Sequence, residues 1–185
     1  MIPIVETAFR IQTFLEARNW RFCFIGGVAL QIWGEPRLTN DVDLTLLTGF
    51  GDEEIYVQTL IEEFAPRIEN AREFALKNRV LLLKTEDGIG IDISLAALPF
   101  EEEVIERASF QNYLPDISLK ICSPEDLIVL KAFADRTRDW ADIETIVIKQ
   151  KKLEWNYIYA QLTPLIELKE APEILRKLEK LKNNL

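Results

Sequence analysis

No histidine occurs anywhere in the 185 residues. That absence excludes imidazole acid–base catalysis, His-assisted nucleophiles and every His-containing zinc site. Cysteine is scarce: Cys23 and Cys122 each sit in an apolar run that reads as a buried strand, which makes them reduced core thiols rather than a disulfide or a metal pair. No apolar stretch reaches the length of a membrane span, and the N-terminal residues, with Glu6 and Arg10, show no signal-peptide pattern. A cytoplasmic protein without a membrane partner is expected. Internal repeats and low-complexity linkers are also lacking. Any chemistry must come from carboxylates, amines, hydroxyls and thiols.

Acidic residues outnumber basic ones, 31 to 22, for a net charge of −9, which argues against a chain coated in nucleic acid. The charge is uneven: residues 149–185 carry eight Lys/Arg against five Glu, leaving 14 basic against 26 acidic residues in 1–148. A solvated helical face explains the basic tail better than a polyanion site does. With 48% hydrophobic and 29% charged residues, the chain suits one globular domain, or one domain with a helical extension.

The densest stretch is Phe22–Leu47, FCFIGGVALQIWGEPRLTNDVDLTLL. An apolar strand at 21–25 opens into Gly26-Gly27 and a short helix over 28–33, with Gly34 as a left-handed cap and Pro36 as a stop. Val42, Leu44 and Leu46 then alternate with Asp41, Asp43 and Thr45, giving a second strand one apolar and one polar face. Before this stretch, Ile4, Val5, Ala8, Ile11 and Leu15 form one helical stripe. After it, Asp52 is placed to cap a helix through Phe64, residues 67–77 read as a further helical piece, and 79–84 as a strand buried on both faces. A turn at 85–88 leads to a returning strand in which Ile89, Ile91, Ile93 and Leu95 face one way and Gly90, Asp92 and Ser94 the other. A helix from Pro99 and a strand at 117–121 follow. Ser123-Pro124-Glu125-Asp126 is then a strong helix start, and the pattern stays helical at 127–134, 139–148, 154–162 and 173–181. The boundary falls near Ser123: a mixed α/β unit over 1–122, then a helical region over 123–185.

Asp41 and Asp43, two apart on a strand, share a face, and Asp92 lies on the polar face of another strand. Three such carboxylates could hold one or two Mg²⁺ ions, which favour oxygen ligands shared with substrate phosphates. Taken singly, Asp-x-Asp reads as a solvated strand face and Gly-Gly as a tight turn. Taken together they describe a phosphate site, in which backbone N–H groups at a helix start cradle phosphates that carboxylate-held Mg²⁺ bridges.

The apolar strand, Gly-Gly, Asp-Val-Asp and a single later Asp resemble the nucleotidyltransferase superfamily named after DNA polymerase beta. Within it, Arg37-x-Thr39-x-Asp41-Val42-Asp43, with Ser123-Pro124-Glu125-Asp126 to Lys131 and on through Arg136, Asp139 and Asp142-Ile143-Glu144, is similar to the abortive-infection-type nucleotidyltransferase toxins. The resemblance covers about residues 1–150. It implies an α/β (α+β) nucleotidyltransferase fold: a small mixed twisted sheet flanked by helices, followed by a C-terminal helical region. It implies that Gly26 and Gly27, with Arg37, Thr39 and Lys131, bind the nucleotide. Asp41 and Asp43 would bind both metal ions, and Asp92 would bind one and help deprotonate the acceptor. Gly27 departs from the many members that have Ser after the first glycine. The implied activity is Mg²⁺-dependent transfer of a nucleoside monophosphate from an NTP to a hydroxyl acceptor (an RNA 3′ end, a protein side chain or a small molecule), in a toxin–antitoxin setting with a cognate partner protein. The alternative is a catalytically silent binding or regulatory module of the same fold.

Overall fold

The computed structural model describes residues 2–184. The chain forms two compact units, one of residues up to Val28 with Leu38–Cys122, the other of Ala29–Arg37 with the residues from Ser123 onward.

In chain order the first unit opens with α1 (Ile2–Glu16), which buries the apolar stripe Ile4, Val5, Ala8, Ile11 and Leu15. The buried β1 (Phe22–Phe24) leads into α2 (Gly26–Trp33), whose first turn belongs to this unit and whose later residues group with the second. Then follow β2 (Asp41–Leu47), α3 (Glu53–Glu63), β3 (Ala65–Pro66), α4 (Ala71–Asn78), β4 (Val80–Lys84), β5 (Gly90–Ala96), α5 (Pro99–Glu106), β6 (Ser109–Leu114) and β7 (Ile117–Ile121). Among the described residues, seven strands form one mixed sheet in the order β3-β4-β5-β2-β1-β7-β6. The central pair β2–β5 is parallel and β1–β2 antiparallel. Val42, Leu44, Leu46, Ile91, Ile93 and Leu95 supply the apolar side of that pair, all buried. Burying such side chains stabilises by about 1.5–3 kcal/mol each.

Several local expectations shift. In β4 only Leu81 and Leu83 are buried; Val80 and Leu82, on the opposite face, stay half-exposed, so the strand is covered on one face and not on both. Residues 67–70 are not helical, because the Arg67 N–H donates to Leu82 O at 3.0 Å and prolongs the edge pairing past Pro66. Asp52 occupies the N-cap of α3 without a capping hydrogen bond; Glu53 instead accepts from the Gly51 N–H at 2.8 Å. The edge strand β6 had no counterpart in the sequence pattern, since its Phe110 is exposed and no apolar face marks it.

The second unit consists of residues 29–37 and the helices α6 (Pro124–Ala134), α7 (Thr137–Lys149), α8 (Trp155–Lys169) and α9 (Glu173–Asn184). Ser123 caps α6, its hydroxyl accepting from the Asp126 N–H at 3.1 Å, as the sequence predicts. α8 outruns its expected end at Leu162 and passes through Pro164. Its buried Ile158, Leu162 and Ile166 carry the helix across the hydrogen bond that proline cannot donate. Gly34 is not among the glycines with positive φ. A Cβ there would lie 2.5 Å from Thr145 Oγ1 and 2.7 Å from Leu30 Cδ1, so close packing, not a left-handed cap, requires the glycine.

Candidate active site

Gly26 ends the β1 connection in a left-handed conformation, φ 56°, at the first position of α2. An added Cβ would stand 2.2 Å from Asp43 Oδ2, 2.7 Å from its Cγ and 2.8 Å from its Cβ. The Asp43 side chain thus lies directly against bare backbone, and the Gly27 N–H approaches Asp43 Oδ2 at 3.5 Å, the long limit of a hydrogen bond. Gly27 is constrained in turn, since its Cβ would meet Thr39 Oγ1 at 2.6 Å. The Thr39 hydroxyl donates to Asp41 O at 3.1 Å, which fixes the entry to β2.

Strand register does the rest. Asp43 pairs with Asp92, and Asp41 with Gly90, across the parallel β2–β5 ladder. Asp41 and Asp43 share a face by strand alternation, and Asp92 stands beside Asp43. Gly26, Gly27, Thr39, Asp41, Asp43 and Asp92 are therefore brought together within the first unit.

Two further residues complete the site. Arg67 Nη1 lies 3.4 Å from Asp41 Oδ1, and Nη2 lies 2.6 Å from Asp92 Oδ1. The second contact is off the hydrogen-bond direction, so the buried Asp92 Oδ1 has a countercharge but no aligned donor. Burial raises the Asp92 pKa above the ordinary carboxylate range, Arg67 offsets part of that, and the neighbouring Asp41 charge adds to it. Gly90 makes the arrangement sterically possible: a Cβ there would stand 2.1 Å from Asp41 Oδ1 and 2.6 Å from Arg67 Nη1. Neither residue stands out in the sequence. A glycine inside an alternating strand was the one available signal of close approach.

Among the described residues no three carboxylate or thiol side chains are gathered tightly enough to hold a metal ion as they stand. The donor set is still of the kind Mg²⁺ favours: three carboxylates share one sheet face, and Asp92 Oδ1, though ion-paired with Arg67, has no aligned hydrogen-bond donor. The cation among them is the Arg67 guanidinium.

Arg37 and Lys131 belong to the second unit. Lys131 is buried, its Nζ 2.6 Å from Asp142 Oδ2 and 3.2 Å from Asp139 Oδ1. Arg37 grips Asp142 bidentately, with Nε to Oδ1 and Nη2 to Oδ2 both at 2.8 Å. Burial acts to raise the Asp142 pKa, but hydrogen bonds from Arg37 and Lys131 outweigh it and hold the group below the usual carboxylate range. Exposed Arg136 approaches Asp139 Oδ2 only to 3.7 Å.

The same architecture occurs in solved nucleotidyltransferase structures. An antigenic nucleotidyltransferase-like protein from Paracoccidioides brasiliensis superposes with TM-score 0.56 at 14% identity, covering 95% of this chain and 92% of that one. The ANT(2")-Ia structure in complex with adenylyl-2"-tobramycin gives TM-score 0.58 at 15% identity, over 89% and 98%. The lincosamide antibiotic adenylyltransferase LnuA, with lincomycin bound, gives 0.52 at 16%, over 75% and 92%. At these identities the likeness is one of fold. Among curated proteins nothing matches the chain. The family model described as nucleotidyl transferase AbiEii toxin, type IV TA system, matches residues 14–154. The chain belongs to this family and is a nucleotidyltransferase.

Proposed function

We propose that this protein transfers a nucleoside monophosphate from an NTP to a hydroxyl acceptor, with Mg²⁺ held by Asp41, Asp43 and Asp92. The observation that supports this reading is the register of β2 and β5, which sets Asp92 beside Asp43 while bare Gly26 backs the Asp43 carboxylate. Bound there, Mg²⁺ would neutralise the triphosphate and polarise its α-phosphorus. The opening N–H groups of α2, bared by Gly26 and Gly27, bind phosphate oxygens. Asp92, whose proton affinity burial raises, accepts the proton from the acceptor hydroxyl once Arg67 has left its carboxylate. The hydroxyl oxygen then bonds the α-phosphorus as the bond to pyrophosphate breaks. No covalent enzyme intermediate is needed, so catalysis is positioning and charge neutralisation. Residues 1–122 act as the catalytic domain and 123–185 as a helical region.

The family setting supports a cytoplasmic toxin of a toxin–antitoxin pair, with a cognate antitoxin as partner. No helix among the described residues is long and apolar enough to cross a membrane. Incubation with each labelled NTP against total RNA, partner-protein lysate and small hydroxyl compounds identifies the acceptor by which species takes the label. Asp41→Asn and Asp92→Asn should both abolish transfer while leaving the melting transition cooperative; full activity in both refutes the assignment. The occupation of two carboxylates by Arg67 favours a second reading, a silent module of the same fold. Calorimetry separates the two, because a silent module shows no Mg²⁺-dependent NTP binding.

A further inference from the structure

We propose that Arg67 is a positioning residue that occupies the carboxylate site as an exchangeable cation, and that a divalent ion enters only by displacing it. This rests on the assignment of Asp41, Asp43 and Asp92 as the metal-binding set.

The arrangement is built, not incidental. Arg67 is fixed by its N–H bond to Leu82 O at 3.0 Å. Leu82 is in register with Asp92, and Asp92 with Asp43, so Arg67 lies at the end of the sheet row that carries two of the three carboxylates. Its guanidinium bridges this row to the neighbouring one by contacting both Asp92 and Asp41. Room for that bridge exists only because position 90 has no side chain, as the Cβ distances to Asp41 Oδ1 and Arg67 Nη1 show.

Electrostatics explain why a cation is there. Three carboxylates on one sheet face repel one another. A single guanidinium touching two of them supplies a countercharge. The fit is imperfect, since Asp92 Oδ1 is left without an aligned donor. Asp41 Oδ1 and Asp92 Oδ1, the oxygens that Arg67 engages, are among the donors a divalent ion would need. The two cations therefore compete for the same atoms, and the side chain is partly solvent-exposed, which leaves it a way out.

Competition makes a prediction that charge repulsion alone does not: binding should tighten even in Arg67→Lys, which keeps the charge but cannot bridge both carboxylates, and no tightening there overturns the proposal. Mn²⁺ is titrated into the full chain without nucleotide, and free Mn²⁺ is followed by electron paramagnetic resonance. Arg67→Met should bind Mn²⁺ about tenfold more tightly than the wild type, and should melt earlier without metal but regain the difference with it. The tightening expected of Arg67→Lys is smaller. Equal or weaker binding by Arg67→Met, beside a wild type that binds, overturns the role of Arg67 and leaves the metal assignment standing. If Arg67→Met does not fold, Arg67→Lys decides alone. If no form binds Mn²⁺, the metal assignment falls and the proposal falls with it.

Discussion

Gly26→Ala is the sharpest perturbation of the site, and Gly49→Ala is its control. Both glycines have positive φ, 56° and 71°, so either substitution forces a residue with a Cβ into the left-handed region at a cost of about 1–2 kcal/mol. At Gly49 the new methyl meets nothing within 4 Å, and the cost ends there. At Gly26 it meets the whole Asp43 side chain, including the Asp43 Cβ at 2.8 Å. That atom is attached to the β2 backbone, so rotating the carboxylate away cannot relieve the clash, and α2 or β2 must shift. Overpacking of this kind adds about 1–3 kcal/mol. For a chain of this size, about 1 kcal/mol moves the melting temperature by about 2–4 °C. Gly49→Ala should therefore melt a few degrees early, and Gly26→Ala about twice as far below wild type. Activity should separate the two more widely, because a misplacement of about 1 Å can cost about 10²-fold in rate. The assay is label transfer from NTP to the identified acceptor, measured beside thermal unfolding. If Gly26→Ala loses no more transfer than Gly49→Ala, contact between the α2 start and Asp43 is not what the reaction requires.

Two predictions concern the buried charges of the second unit. Lys131→Met strips Asp139 of its close cation and Asp142 of one of two, and should destabilise by about 3–5 kcal/mol, read as a lower denaturant midpoint with an unchanged slope. A near-neutral midpoint would show that the ammonium is not a structural countercharge. Asp142 has a folded pKa below its ordinary value, so its stabilisation is fully present above the unfolded carboxylate pKa of about 4 and is lost as pH falls from there through the folded value. Melting temperatures of wild type and Asp142→Asn, measured between about pH 2 and 6, should converge toward the acid end; parallel curves would contradict this.

Local signals in the sequence were strong wherever a single element decides the outcome. Apolar spacing at Ile4 to Leu15 defined α1, and Ser-Pro-Glu-Asp at 123–126 defined the start of α6. Alternation in 41–47 and 89–95 placed Asp41, Asp43 and Asp92 on polar strand faces, and the spacing of Gly-Gly to Asp-Val-Asp pointed to the family. Period-two alternation and helix caps are properties of neighbouring residues, and so they are readable in one dimension. Gly34 departs from the expected left-handed cap, because a glycine needed for contact with Thr145 looks the same in sequence as one needed for a left-handed turn. Arg67 was read as helical and Gly90 as one more polar-face position, because their meaning depends on which strands pair and in what register. Composition and local pattern settle the chemistry on offer: carboxylates and a bared helix start, with no imidazole. It takes the folded sheet to set Asp92 beside Asp43 and Gly26 behind Asp43. The tertiary structure alone decided that an arginine some 25 residues from either aspartate holds two of the three carboxylates, since sheet register and cross-strand packing join residues that no local pattern connects.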